Sequence, residues 1–158
     1  DNYESAMRGR YLAVNAGACV ECHTPEPAMV PGPTAIDFGK LFWGGREFPA
    51  AALGLPVQPM GPFPEVIRSA NLTSHMEHGV GQYSIEELIR ALKHGVDRED
   101  EGLCPPMPAG MMAAFGGLTD ADALDIANYI KSLPAVDNEV AGECALPMGP
   151  PPADGMGQ

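Results

Sequence analysis

The sequence predicts an all-α, single-domain protein whose helices carry the core and whose long loops make up much of the rest. Three observations predict this. Two segments show helical apolar periodicity with capping residues at their ends. No segment reads as a strand of any quality. With 17 prolines and 19 glycines in 158 residues, much of the chain is committed to turns and loops. A chain of this length fits one domain with a modest core. Aromatic residues are only 6% of it, so a bound cofactor or a crosslink is expected to supplement that core.

The elements follow in order. Residues 3–18, "YESAMRGRYLAVNAGA", read as a helix whose small apolar face is Ala6, Leu12, Ala13 and Ala16. Gly9 on this helix allows a second helix to approach closely. Residues 24–70 hold nine prolines and six glycines and keep neither helical nor strand period. They read as a long loop region with one short helical turn. A structureless segment of this length needs something to wrap around, and a large cofactor would serve. Residues 83–95 form a helix that opens on the capping box Ser84/Glu87, packs through Ile85, Leu88, Ile89 and Leu92, and stops at Gly95. Residues 118–134 form another, capped by Thr119, with acidic residues in its first turn and Pro134 at its end. Its predicted buried stripe is Leu124, Ile126, Ala127 and Ile130. The domain is placed at residues 1–140, with a Gly/Pro-rich tail at 141–158 lying over the surface.

The formal net charge of −12 disfavours nucleic acid, whose phosphates would be repelled, and suits a partner with a basic docking patch. No run of about twenty apolar residues is present to span a membrane. The chain begins at Asp1 with no leader, which fits a mature form whose signal peptide has been removed.

The chemistry is concentrated in "AGACVECHTP", where Cys19, Cys22 and His23 make a C-x-x-C-H motif. This is the pattern of c-type haem attachment. Two thiols one short turn apart add to the two vinyl groups on one porphyrin edge, and the adjacent imidazole becomes the proximal iron ligand. A zinc site needs a second close pair of ligands, and Cys104 and Cys144 stand forty residues apart. A thioredoxin-like dithiol needs a βαβ setting that this chain lacks. For the sixth iron position, Met107 in "CPPMPAG" is held between prolines, and Met60 in "PMGP" has a similar frame. Met111 and Met112 come next, and His75, His78 or His94 would give bis-histidine ligation.

Beyond the motif, "GRYLAVNAGACVECHTP", "GGREF", "NLTSHMEHGVGQYSIEELIRALKHGV" and "PPMPAGMMAAFGGLTDADALDIANYIKSLPAV" together cover nearly the whole chain. In them the sequence resembles the class I c-type cytochromes, of the bacterial periplasmic monohaem kind associated with dehydrogenases. The resemblance implies the cytochrome c fold, one covalent haem c and one-electron transfer. It favours Met107 over Met60 as ligand, because the family's ligand methionine lies about a dozen residues before the C-terminal helix. It implies that the first helix crosses the last near Gly9, with Tyr129 at that crossing. Asn71 and Tyr83 are implied near the haem propionates, and Arg46 at the haem edge; relatives often carry Trp where Tyr83 stands. Thioether attachment follows export, so a periplasmic, oxidising location is expected, and there the remaining pair, Cys104 and Cys144, is expected to form a disulfide. The expected partner is a dehydrogenase or an oxidase-side acceptor, and the protein is expected to be an electron carrier rather than an enzyme. The alternative is a haem protein with a labile sixth ligand, acting as a gas sensor or peroxidase.

Overall fold

Gly9 decides how the first and last helices meet. The computed structural model describes residues 2–28, 35–107, 114–141 and 145–146. Helix α1 (Asn2–Tyr11) packs against helix α4 (Asp120–Ser132), and Gly9 is buried between them. A Cβ built on Gly9 would lie 1.8 Å from the Asp125 carbonyl oxygen, so the two backbones touch without an intervening side chain. Polar groups tie the edges of the crossing. Arg8 reaches Asp122 at 2.5 Å and Asp125 at 2.9 Å. The Ser5 hydroxyl donates to the Asp125 carboxylate and accepts from Asn128 Nδ2 at 2.8 Å.

The first helix is shorter than its periodicity predicts. The α-helix ends at Tyr11, a wider π-turn covers Leu12–Ala16, and Ala18 adopts a left-handed conformation with φ 52°. That residue interrupts the helical ladder, so the cysteine motif forms a turn of its own, α2 (Cys19–His23). Within α2, Val20 and His23 are three residues apart, share one face and are buried.

Helix α3 (Ile85–His94) forms as its sequence predicts. The Ser84 hydroxyl accepts from the Glu87 N–H, the Glu87 carboxylate accepts from the Ser84 N–H, and Gly95 closes the helix at φ 67°. In α4, Thr119 accepts from the Asp122 N–H. The buried stripe of α4 is Ala123, Ile126, Ala127 and Ile130. This corrects the predicted stripe: Leu124 is 41% exposed, because positions 123, 126, 127 and 130 follow the i, i+3, i+4, i+7 face and 124 lies beside it. The principal core joins these residues to Ala13, Val20, Phe42, Val80, Leu88 and Leu92. Tyr129 meets the fully buried Phe42 edge-on, with ring centroids 5.7 Å apart.

The fold is not purely helical. Strands β1 (Glu47–Pro49) and β2 (Val66–Arg68) pair antiparallel with Glu47 opposite Arg68, and that pair is also an ion pair at 2.7 Å. Strands β3 (Gly102–Leu103) and β4 (Ala145–Leu146) pair likewise, so the predicted surface tail returns to the domain at that point. Within the region read as a loop, Ala50 and Ile67 join Cys104 in a second small core, flanked by Leu53, Leu55, Val57 and Phe63. Two 3₁₀ turns, Phe38–Lys40 and Ala50–Leu53, also lie in that region. Strands of three residues between prolines carry no readable alternation, which is why the pattern misses them.

The start of α4 carries a pH dependence. Hydrogen bonding to Lys93 holds the Asp120 carboxyl below its usual pKa, and hydrogen bonding to Arg8 does the same for Asp122. A carboxyl lowered on folding stabilises the fold above its unfolded value, about 3.9, and loses that contribution as pH falls through its folded value. Asp122→Asn is therefore expected to melt slightly below the parent at pH 6, with the gap narrowing as pH falls below the unfolded value of about 3.9. Thermal unfolding of the two proteins across that range checks it, and a constant gap would rule out the ionic origin.

Candidate functional site

The C-x-x-C-H turn and the two residues after it are held at four points by a segment further along the chain, residues 37–46. The Arg46 guanidinium donates to the Glu21 carbonyl at 2.9 Å. The Gly44 N–H donates to the His23 carbonyl at 2.9 Å. The Phe42 N–H donates to the Thr24 hydroxyl at 3.1 Å. The Asp37 N–H donates to the Pro25 carbonyl at 3.0 Å. The imidazole has its own restraint: His23 Nδ1 lies 2.8 Å from the Ala70 carbonyl. A carbonyl only accepts, so Nδ1 carries the proton and Nε2 keeps its lone pair. Nε2 makes no hydrogen bond among the described residues.

Gly44 brings these restraints together. Its φ is +73°, and a Cβ built on it would lie 2.5 Å from the carbonyl of Ala70 and the N–H of Asn71. The close approach lets one stretch of backbone hold the His23 carbonyl while the neighbouring stretch presents the Ala70 carbonyl to the ring. Gly44→Ala combines left-handed strain with a backbone clash. The expected result is a several-fold shorter unfolding half-life in guanidinium chloride, read by stopped-flow circular dichroism. A half-life equal to the parent's would remove the role assigned to this glycine.

The electrostatics suit a neutral ligand beside inert thiols. Burial lowers the His23 pKa, opposed by the hydrogen bond to Ala70, so the imidazole stays neutral with its lone pair available. Burial pushes the Cys19 thiol up to about 11, and burial also raises Cys22 despite the nearby Arg46 charge. Both cysteines are free. Thiols raised in this way are poor thiolates at neutral pH, which argues against a redox dithiol.

The other predicted residues lie as follows. Met107 sits in the turn after Cys104, its N–H donating to the Cys104 carbonyl at 3.0 Å, and packs half-buried on the principal core. Met7, Met60 and Met76 are exposed, Met60 at 96%, so Met107 is the one core-packed methionine among the described residues. Met111 and Met112 lie outside the described residues. Arg46 is 5% exposed; besides Glu21 it donates to the Ala35 carbonyl at 3.0 Å and pairs with Glu26 at 3.3 Å. Asn71 is 3% exposed, and its amide donates to the carbonyls of Val136 and Asn138 while its oxygen accepts from the Thr73 N–H. The Tyr83 ring packs half-buried on the principal core, its hydroxyl pKa raised chiefly by burial, and its carbonyl accepts from Lys131 at 2.9 Å. His75 and His78 stack on each other. Cys104 belongs to a disulfide and forms part of the second core, whereas Cys144 lies outside the described residues.

Two free thiols and a buried imidazole, with its proton fixed on Nδ1 and its other nitrogen without a hydrogen bond among the described residues, match what covalent haem attachment requires of a chain. The family model for cytochrome c matches residues 6–134.

The chain belongs to the cytochrome c family. Such a domain implies haem c and electron transport. The chain is 33% identical over 127 residues to the fructose dehydrogenase cytochrome subunit of Gluconobacter japonicus, covering 80% of this chain and 21% of that one. It is 35% identical over 102 residues to the gluconate 2-dehydrogenase cytochrome c subunit of Pantoea cypripedii, covering 64% and 18%. It is 30% identical over 115 residues to the cytochrome c subunit of the quinone alcohol dehydrogenase of Gluconobacter oxydans strain 621H, covering 73% and 18%. The chain thus spans about a fifth of the length of these relatives. No helix among the described residues is long and apolar enough to cross a membrane.

Within this cytochrome c domain, sequence reasoning missed the partners that hold the motif: Ala70, Thr24, Phe42 and Gly44. It also missed Phe115, whose ring edge lies 3.7 Å from where a Cβ on Gly17 would sit, just before the first cysteine. Only the Gly44-Gly45 pair left a signal in the sequence, as a place where backbone must come close to backbone.

Proposed function

We propose that this domain transfers single electrons through one haem c bound covalently at Cys19 and Cys22, with His23 and Met107 as axial ligands. The observation that carries this reading is the buried His23 imidazole, fixed through Nδ1 on the Ala70 carbonyl with Nε2 free, inside the C-x-x-C-H turn. The haem supplies a one-electron iron couple. The chain supplies a neutral imidazole, a neutral thioether and a low-polarity setting, which together favour the ferrous form and raise the potential. Met107 is supported by its position against the core and by the exposure of Met60. One C-x-x-C-H motif in the sequence corresponds to one haem.

In this reading residues 1–140 act as one cytochrome domain and 141–158 as a tail. Arg46 braces the motif. Asn71 and Tyr83 line the polar side of the haem through the segment that Asn71 ties to residues 136–138. Cys104 pairs with Cys144, since Cys19 and Cys22 are free and β4 brings residues 145–146 beside 102–103. In the loop-entropy model a bridge closing about forty residues contributes about 4 kcal/mol. Thiol titration of the unfolded, unreduced holoprotein is expected to find no free thiol; two free thiols would remove the bridge.

The donor is a dehydrogenase and the location is the periplasm, on the analogy of relatives named as dehydrogenase cytochrome subunits. A surface with net charge −12 would meet a basic patch on the partner. The test is a visible spectrum of the protein matured in a periplasm. A low-spin spectrum of the folded protein, with a methionine-to-iron charge-transfer band when oxidised and haem absorbance that stays with the chain on denaturation, is expected. A high-spin iron that readily binds added ligands would replace electron transfer with the sensor or peroxidase reading.

A further inference from the structure

The turn before α3 carries two histidines that the cytochrome chemistry does not use. His75 and His78 stand three residues apart, and their rings stack nearly parallel, 14° between planes and 5.4 Å between centroids. Asp137, from the segment after α4, places Oδ1 2.7 Å from His78 Nδ1. One nitrogen from each ring and one oxygen of Asp137 all lie within 4.8 Å of one another.

The two segments are held together independently of this cluster. The Ser74 hydroxyl donates to the Leu133 carbonyl at 2.6 Å, the Thr73 hydroxyl to the Val136 carbonyl at 3.3 Å, and the Asn71 amide to the carbonyls of Val136 and Asn138. The backbone on either side of the donors is therefore fixed before any ligand arrives. The His75 ring is oriented further, with Nδ1 accepting from the His78 N–H at 3.0 Å.

We propose that His75, His78 and Asp137 form a binding site for a divalent transition-metal ion of the zinc class. Two imidazoles and a carboxylate are a donor set that zinc accepts, with water in the fourth position of a tetrahedron. Ligand bonds of about 2.0–2.2 Å place tetrahedral donors about 3.3 Å apart. Reaching that spacing opens the His78–Asp137 pair from 2.7 Å, closes the widest pair by about 1.5 Å at most from its 4.8 Å limit, and turns the stacked rings so that both aim a lone pair at the ion. Asp137, whose side chain is 75% exposed, has the freedom to move. The ion displaces the proton between His78 Nδ1 and Asp137 to solvent, and His75 binds through Nδ1, which gives up its hydrogen bond from the His78 N–H while Nε2 keeps its proton. Once bound, it joins the turn before α3 to the segment after α4.

The test is calorimetric titration of the haem-loaded protein with zinc chloride. One equivalent is expected to bind saturably. His75→Asn and His78→Asn are each expected to weaken binding at least tenfold, while His94→Asn, at an exposed histidine on α3, leaves it unchanged. No saturable binding up to millimolar zinc, or equal affinity in the His75→Asn/His78→Asn double variant, would overturn the assignment. A readout that needs no variant is protection by zinc of His75 and His78 against diethyl pyrocarbonate, located by peptide mass. Equal modification with and without zinc would overturn it as well.

Discussion

Met107→Ala is expected to abolish the methionine-to-iron charge-transfer band of the oxidised protein and to lower its reduction potential. For a one-electron couple, about 59 mV corresponds to a tenfold change in the redox equilibrium. A drop larger than that is expected, because removing the thioether takes away the ligand that favours ferrous iron. Met60→Ala should change neither reading, since that side chain is 96% exposed. If the band disappears with Met60→Ala and survives Met107→Ala, the ligand assignment is wrong. Both variants keep the C-x-x-C-H motif, so haem content serves as the internal control for haem attachment, and circular dichroism as the control for folding.

The second large effect is expected at Gly9. In an isolated helix, Gly→Ala gains about 1 kcal/mol of propensity. At this crossing the added carbon would sit 1.8 Å from the Asp125 carbonyl oxygen, a contact that neither backbone can relieve alone. Overpacking costs typically 1–3 kcal/mol and more when backbone must move, so the clash outweighs the propensity gain. Gly9→Val, which adds bulk and loses propensity, should destabilise by about 3 kcal/mol or more. That corresponds to a melting temperature lower by roughly 6–12 °C for a domain of this size. Thermal unfolding by circular dichroism reads it. A Gly9→Ala protein that melts above the parent would show that α1 and α4 do not cross here.

What the sequence made legible was local. The motif, the capping box of α3, the Thr119 cap and the Gly95 stop each declare themselves within a few residues, and the structure places them where the pattern does. Gly9 was legible for another reason: a glycine within a helix usually marks something close by. The rest depended on contacts between distant segments. Nothing near Ala70 says that its carbonyl meets a ring 47 residues earlier. The break at Ala18 was hidden because alanine seldom adopts positive φ and otherwise favours helix. The shift of the α4 stripe from Leu124 to Ala123 came from weighting hydrophobicity over angular position. A small residue was needed where α4 packs closely, and alanine is the weakest apolar signal.

The pairing of β1 with β2 has a consequence for how this family can vary. The ladder begins immediately after Arg46 and ends immediately before Ser69, and it continues inward as Ser69 N–H to Arg46 carbonyl at 3.0 Å and Gly45 N–H to Ser69 carbonyl at 2.7 Å. It works as a zip fastener whose closed end aligns Gly44 and Arg46 with Ala70. Its open end, from Ala50 to Glu65, is separated from His23 by the whole ladder. Loop-closure entropy rises by only about 0.6 kcal/mol for each doubling of length. Outside the residues that build the second core, that tip can therefore change in length, and with it the surface offered to a partner, without disturbing the imidazole.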